Sequence, residues 1–211
     1  MFVGSNFSSR RRRTINTRLK KSNKSKMSHE MSGAISCGDI HEIRSLLRKG
    51  ENPNARDHQG CTVLHYMASR SDSYLVGWLL EAGADPNARD NDTETVLMWA
   101  AAEGRANIVR MLIKAGADVN AITNLDGTAL RWAVKSGDNE TVRILLDAGA
   151  NVNAPIVLIQ AVYLGYTQIV RWLLELGADV NDTDSEGETA LMIVQEKGYN
   201  EFAQILKEFG A

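Results

Sequence analysis

The 211 residues suffice for one ordinary domain or one short repeat array, and 44% hydrophobic with 24% charged residues is a globular composition. No apolar run approaches the roughly 20 residues of a membrane span, and two cysteines, Cys37 and Cys61, without a secretory hydrophobic segment, make no disulfide framework, so a reducing, cytoplasmic compartment is expected. The net charge of −2 conceals an asymmetry: residues 1–29 hold nine of the 24 Lys/Arg and no Asp or Glu, leaving 15 basic against 26 acidic residues from Glu30 onward, a body of −11.

The chain opens on MFVGSNFSSRRRRTINTRLKKSNKSKMSH. These 29 residues lack apolar periodicity and read as a disordered basic tail. Several roles suit them. Arg10–Arg13 with Lys20 and Lys21 could form a nuclear signal, or a patch for nucleic acid or an anionic membrane. An Arg- and Ser-rich, acid-free start also resembles an organellar transit peptide. Translation from Met27 would leave the tail out of the natural product. Phe2 after Met1 excludes myristoylation.

From residue 30 onward the chain repeats itself. Gly50, Gly83, Gly116, Gly149, Gly177 and Gly210 are spaced 33, 33, 33, 28 and 33 apart. Met31, Leu64, Leu97, Leu130, Leu158 and Leu191 keep the same spacings, and Asn54, Asn87, Asn120, Asn153 and Asn181 form a third column in register. Six units follow, at about 30–57, 58–90, 91–123, 124–154, 155–183 and 184–211. Each reads as two short helices and a turn. In the second unit Thr62 is placed to cap a first helix, and small Ala68 permits close packing with the next unit. Ser71-Asp72-Ser73 is turn chemistry that caps a second helix, whose Leu75, Val76, Leu79 and Leu80 share one face. Gly83 then ends that helix, because glycine takes the left-handed conformation cheaply.

Gly60-Cys61-Thr62-Val63-Leu64-His65, Thr95-Val96-Leu97-Met98-Trp99-Ala100-Ala101, Thr128-Ala129-Leu130-Arg131-Trp132-Ala133 and Gly187-Glu188-Thr189-Ala190-Leu191 are variations on one motif. Over 31–211 the chain resembles the ankyrin repeat family, whose 33-residue unit carries G-x-T-P-L-H-x-A-A, a run ending in L-L, then G-A-D-x-N-A. The resemblance implies an all-α fold, an ankyrin-repeat solenoid of stacked helix-turn-helix units with short hairpin loops. The motif histidine survives only as His65, and Thr93 stands where glycine is usual.

The position just before the end of the second helix, second in its Leu-Leu pair, reads Leu47, Leu80, Ile113, Leu146, Leu174 and then Lys207, apolar until the last unit. Lys207 fits a polar outer cap, and Ser32, Gly33 and Ser36 fit a polar first one. The fifth unit is five residues short, and the shortage falls around Asn153-Ala154-Pro155-Ile156, which predicts a stunted hairpin and a gap in the row of turns. Either it divides the surface into a 1–4 block and a 5–6 block, or it is drift in a tolerant loop.

Nothing points to an enzyme. His29, His41, His58 and His65 make no metal pair, and no Gly-rich phosphate loop with its lysine is present, so no metal, cofactor or small-molecule substrate is expected. Asp85, Asp118 and Asp179 recur with the period, which marks loop hydrogen bonding.

By the family resemblance, a monomeric, non-enzymatic scaffold would bind a protein partner through its concave face and hairpin tips. Carried onto this sequence, those positions include Arg70, Glu103 and Lys135 at first-helix ends, and Asp92, Glu94 and Leu125 at hairpin tips. A further column, two after the framework leucine, reads Tyr66, Trp99, Trp132, Gln160 and Ile193; its aromatics suit either interface anchors or packing between first helices. Trp78 and Trp172, on second helices, are expected in the core. Acidic hairpins on a negative body favour a basic partner. The alternative is an adaptor, with the basic tail on anionic membrane or nucleic acid while the repeats recruit a protein; a targeting role for the tail would make the location nuclear or organellar.

Overall fold

The computed structural model describes residues 26–211 except Pro155, so the tail readings for residues 1–25, and the fate of the proline itself, lie outside the described residues. Twelve helices follow in six pairs: α1 His29–Cys37 and α2 Ile40–Lys49; α3 Val63–Ser69 and α4 Ser73–Glu81; α5 Val96–Ala102 and α6 Ala106–Lys114; α7 Ala129–Ser136 and α8 Asn139–Asp147; α9 Val157–Tyr163 and α10 Thr167–Glu175; α11 Ala190–Lys197 and α12 Asn200–Glu208. The array takes in residues ahead of Glu30. Met27 is buried and its N–H reaches the Arg56 carbonyl at 2.8 Å, while Ser28 caps α1.

Local chemistry sets the helix ends. Thr62, Thr95, Thr128 and Thr189 occupy the N-cap of the first helices, and Asp39, Asp72 and Asp138 cap second helices by accepting a backbone N–H three residues on. In the second repeat His65 returns the favour, its Nδ1 accepting the Thr62 N–H at 3.1 Å. Where that histidine is missing in the third repeat, the Met98 sulfur takes the equivalent Thr95 N–H at 3.4 Å.

Neither helix of a pair buries its apolar face alone. First helices α3, α5, α7, α9 and α11 stack in sequence, and second helices α4, α6, α8 and α10 stack behind them. Ala68, Ala101, Ala133 and Ala161 are fully buried between first helices, and Leu79, Leu112, Leu145 and Leu173 between second ones. Lys207, in the apolar column's last place, is exposed.

The loops are joined by an asparagine ladder. Asn54 donates to the Gly83 carbonyl at 2.9 Å and accepts the Asp85 N–H at 2.8 Å. Asn87 does the same with Gly116 and Asp118, Asn120 with Gly149 and Asn151, and Asn153 with Gly177 and Asp179. Asp85, Asp118 and Asp179 each accept the N–H two residues on, the loop role their periodicity implied.

The short fifth repeat keeps both its helices and its rung of the ladder. Eight residues separate Asn120 from α7, but only three separate Asn153 from α9. At the gap lies a cavity of about 300 Å³, lined by Val119, Ile122, Thr128, Leu130 and Ala154 among others. Ile156 stands where the first repeat has Ser28 and the other four have their capping threonine, at φ +57° and without a side-chain cap. A β-branched residue pays for that left-handed conformation. Ile156→Asn, which tolerates it, is expected to stabilise the fold by about 1 kcal/mol; an unchanged or lower midpoint in urea unfolding would contradict this strain.

Candidate partner-binding face

Each hairpin is built around one side chain. Asp90 Oδ1 accepts the N–H groups of Asp92 at 3.0 Å and Glu94 at 2.9 Å. Asp57 organises its hairpin through Gln59 and Cys61, and Asp184 through Glu186 and Glu188. The second carboxylate oxygen reaches back to the aromatic column nine residues on. Asp57 Oδ2 accepts the Tyr66 hydroxyl at 2.5 Å, and Asp90 Oδ2 accepts the Trp99 indole N–H at 3.0 Å. In the fourth repeat Thr123 takes the aspartate's place, its Oγ1 accepting from Leu125 at 3.3 Å and Gly127 at 2.8 Å. A hydroxyl has no second oxygen, and the Trp132 Nε1 is buried without a hydrogen-bond partner.

The aromatic column is both packing and surface. Trp99 meets Tyr66 edge-on at 5.8 Å and His65 at 5.5 Å, yet Tyr66, Trp99 and Trp132 are only partly buried. Lys135 Nζ sits 4.8 Å over the Trp132 ring. Beyond Trp132 the column loses its aromatics at half-buried Gln160 and buried Ile193.

Between Trp99 and Trp132 the face opens into a cavity of about 220 Å³, bounded by Ser69, Glu94, Met98, Trp99, Ala102, Glu103 and Trp132. Four of the sequence-derived candidates, Glu94, Trp99, Glu103 and Trp132, therefore converge, with Lys135 at the Trp132 ring. The others stand apart. Asp92 is exposed at its hairpin tip, and Leu125 is 85% exposed at the next. Arg70, although exposed, donates to the Ile35 carbonyl and ties the second repeat to the first. Tyr66 is held by Asp57 and Gln59. Trp78 and Trp172 are only half-buried, not core; each packs on the core beneath an arginine, Arg44 at 5.7 Å and Arg143 at 5.6 Å. Sequence reasoning overlooked Asp57, Asp90 and Thr123 as the column that positions the aromatics. Their constant offset of nine residues was the available signal.

Burial shapes the protonation of the second and third repeats. It raises the Glu94 carboxyl, helped by Asp90 and Asp92, while Lys135 acts the other way. It raises the Tyr66 phenol, as does the bond to Asp57, so Tyr66 stays a donor. It pushes the Cys61 thiol up to about 12, assisted by Asp57 and Asp90, which leaves no reactive thiolate. Burial also lowers the His65 imidazole to about 4, despite the opposing pull of Asp90 and the Glu94 carbonyl. Although that carbonyl favours a proton on the ring, Nε2 lacks a hydrogen bond of good geometry.

The fold and the face together define a repeat scaffold of the ankyrin class. A family model for ankyrin repeats in three copies matches residues 31–123, 68–156 and 158–211. The chain belongs to the ankyrin repeat family. It is similar to a solved ankyrin repeat domain from Acinetobacter baumannii AYE, at 37% identity and a TM-score of 0.76, over 84% of this chain and 96% of that one. The ankyrin repeat domain of Bcl-3, described as a unique member of the IkappaB protein family, is similar at 27% identity and a TM-score of 0.76, over 89% of this chain and 88% of that one. Ankyrin repeats are in general protein-protein interaction modules, typically without enzymatic activity.

Two substitutions test this network. Thr123→Asp supplies the oxygen that the Trp132 N–H lacks and is expected to raise stability by about 1 kcal/mol in urea unfolding; a destabilised variant would show that the indole N–H is not the weak point. For His65, the folded value lies below the unfolded 6.5, so the unfolded chain binds the extra proton. Its contribution is complete above pH 6.5 and is lost as pH falls towards 4, in all roughly 3 kcal/mol. His65→Gln should therefore lose less melting temperature than the parent between pH 6.5 and 5; parallel pH profiles would rule the linkage out.

Proposed function

We propose that the chain is a monomeric, cytoplasmic interaction scaffold whose concave face, centred on repeats two to four, grips a basic protein partner. The observation that carries this reading is the cavity in which two half-buried indoles and two carboxylates meet on a surface otherwise built to a common pattern. Tyrosine and tryptophan in such settings serve as anchors, because they bury much area at little entropic cost. The acidic lining, the acidic hairpin at Asp92 and a −11 body from residue 30 support the basic character of the partner.

Affinity selection with the full chain supplies a partner for measurement. Trp99→Ala and Trp132→Ala are each expected to weaken its complex by about 30-fold or more, while the variants keep a cooperative melt. Affinity should also fall as salt rises from about 50 to about 300 mM, because the screening length shortens over that range. A complex indifferent to both the tryptophans and salt would remove this face from consideration. The second reading, an adaptor, is favoured by the nine basic and no acidic residues in 1–29. It requires salt-dependent retention on anionic vesicles or DNA that disappears on deleting residues 1–26.

A further inference from the structure

We infer that the cavity between Trp99 and Trp132 is a socket for one lysine or arginine side chain of the partner, its cation set between the Glu94 and Glu103 carboxylates and against the two indole rings. The inference rests on the concave-face reading and specifies what that face recognises.

The first support is electrostatic. Glu94 is half-buried, with Asp90 in its own hairpin and Asp92 at the tip adding negative charge, and among the described residues it takes part in none of the salt bridges. Burial first, then Asp90 and Asp92, hold its carboxyl above the ordinary range, although a hydrogen bond from Trp99 and the charge of Lys135 offset part of this. A desolvated carboxylate flanked by like charges is relieved by a cation brought from outside. Glu103, exposed and also lining the cavity, faces half-buried Arg105 at 3.6 Å, a long pairing open to solvent on the carboxylate side and therefore weak. Arg105 Nε meanwhile donates to the Ser69 carbonyl at 2.9 Å, which fixes that rim in place.

The second support is the aromatic wall. Indole faces attract ammonium and guanidinium groups, and the Trp132 ring already does so, with Lys135 Nζ 4.8 Å from its centroid. Lys135 is thus a resident cation, reaching in from solvent, that an incoming one displaces. The third support is shape. The cavity holds about 220 Å³ and has Met98 and Ala102 in its lining, which suits an aliphatic stem carrying a charged head. An anion is disfavoured by both carboxylates. A metal is disfavoured too, since among the described residues no three His, Cys, Asp or Glu converge.

The test is a ¹⁵N–¹H titration of the full chain with N-acetyl-lysine methylamide, N-acetyl-arginine methylamide and N-acetyl-norleucine methylamide. The chain has four indole N–H signals, from Trp78, Trp99, Trp132 and Trp172. Saturable shifts are expected at Trp99 and Trp132 with the lysine or arginine probe, and none at Trp78 or Trp172; the probe saturating at lower concentration names the side chain. Half-saturation should rise about five-fold in Glu94→Gln and in Glu103→Gln, and fall about two- to three-fold in Lys135→Gln as the competitor is removed. Norleucine matching the cations, equal shifts at all four indoles, or unaltered half-saturation in both Glu→Gln variants would overturn the socket. The broader reading fails differently: indoles that saturate with the cations, beside a partner complex indifferent to Trp99→Ala and Trp132→Ala, would retain the socket and discard the interface. Partner binding lost in those variants without any indole response to the cations would do the reverse.

Discussion

Apolar burial between neighbours, and only between neighbours, is the constraint on which this molecule rests. A seven- to ten-residue helix is far too short to persist in water by itself. Each pair here survives because the next one covers it, as fully buried Leu79, Leu112, Leu145 and Leu173 show along the second helices. Such a design leaves one side of every repeat out of the bargain. The concave face contributes little to the stacking core, so its residues can differ from repeat to repeat while the framework stays fixed.

Stacking alone does not set register; the loop asparagines do. Each rung links a side chain to a backbone carbonyl and N–H of the following loop, so adjacent loops are fixed to within hydrogen-bond tolerance. The five missing residues lie just after the rung at Asn153, not within it. That rung survives with one ordinary bond of 2.8 Å and one stretched to 3.4 Å. The deletion therefore removes a hairpin without shifting the helices behind it. Repeats two to four thus present aligned aromatics, while repeat five, next in line, has half-buried Gln160 in that column and no hairpin before it.

Much of this was legible in the sequence because it is local or periodic. Three columns revealed the period, threonines and aspartates marked helix starts, and the shortage at residues 153–156 located the gap. What escaped depends on contacts between residues about one repeat apart in sequence. Arg70 reads as a free surface charge until its bond to the Ile35 carbonyl is seen. Trp78 and Trp172 read as core until Arg44 and Arg143 are found above them. The aromatic column left packing and interface open as alternatives; its rings lean on their neighbours and remain partly exposed. Its partner column of Asp57, Asp90 and Thr123 was visible, but nothing in a linear reading says that the second aspartate oxygen points back to a ring.

That column also shows where the scaffold departs from its own rules. Tyr66 and Trp99 are each fastened by a carboxylate, and their orientation belongs to the hairpin. Trp132 has no such fastening, and the exposed Lys135 lies over its ring. An unpaired buried N–H, and a half-buried carboxylate that Lys135 approaches without forming a salt bridge, both cost stability that simple substitutions could recover. In a fold whose local preferences otherwise agree with one another, such departures gather where binding needs them. The two lie on the same stretch of the concave face, around one cavity, and a cationic side chain satisfies the carboxylate while occupying the ring that the hairpin leaves free.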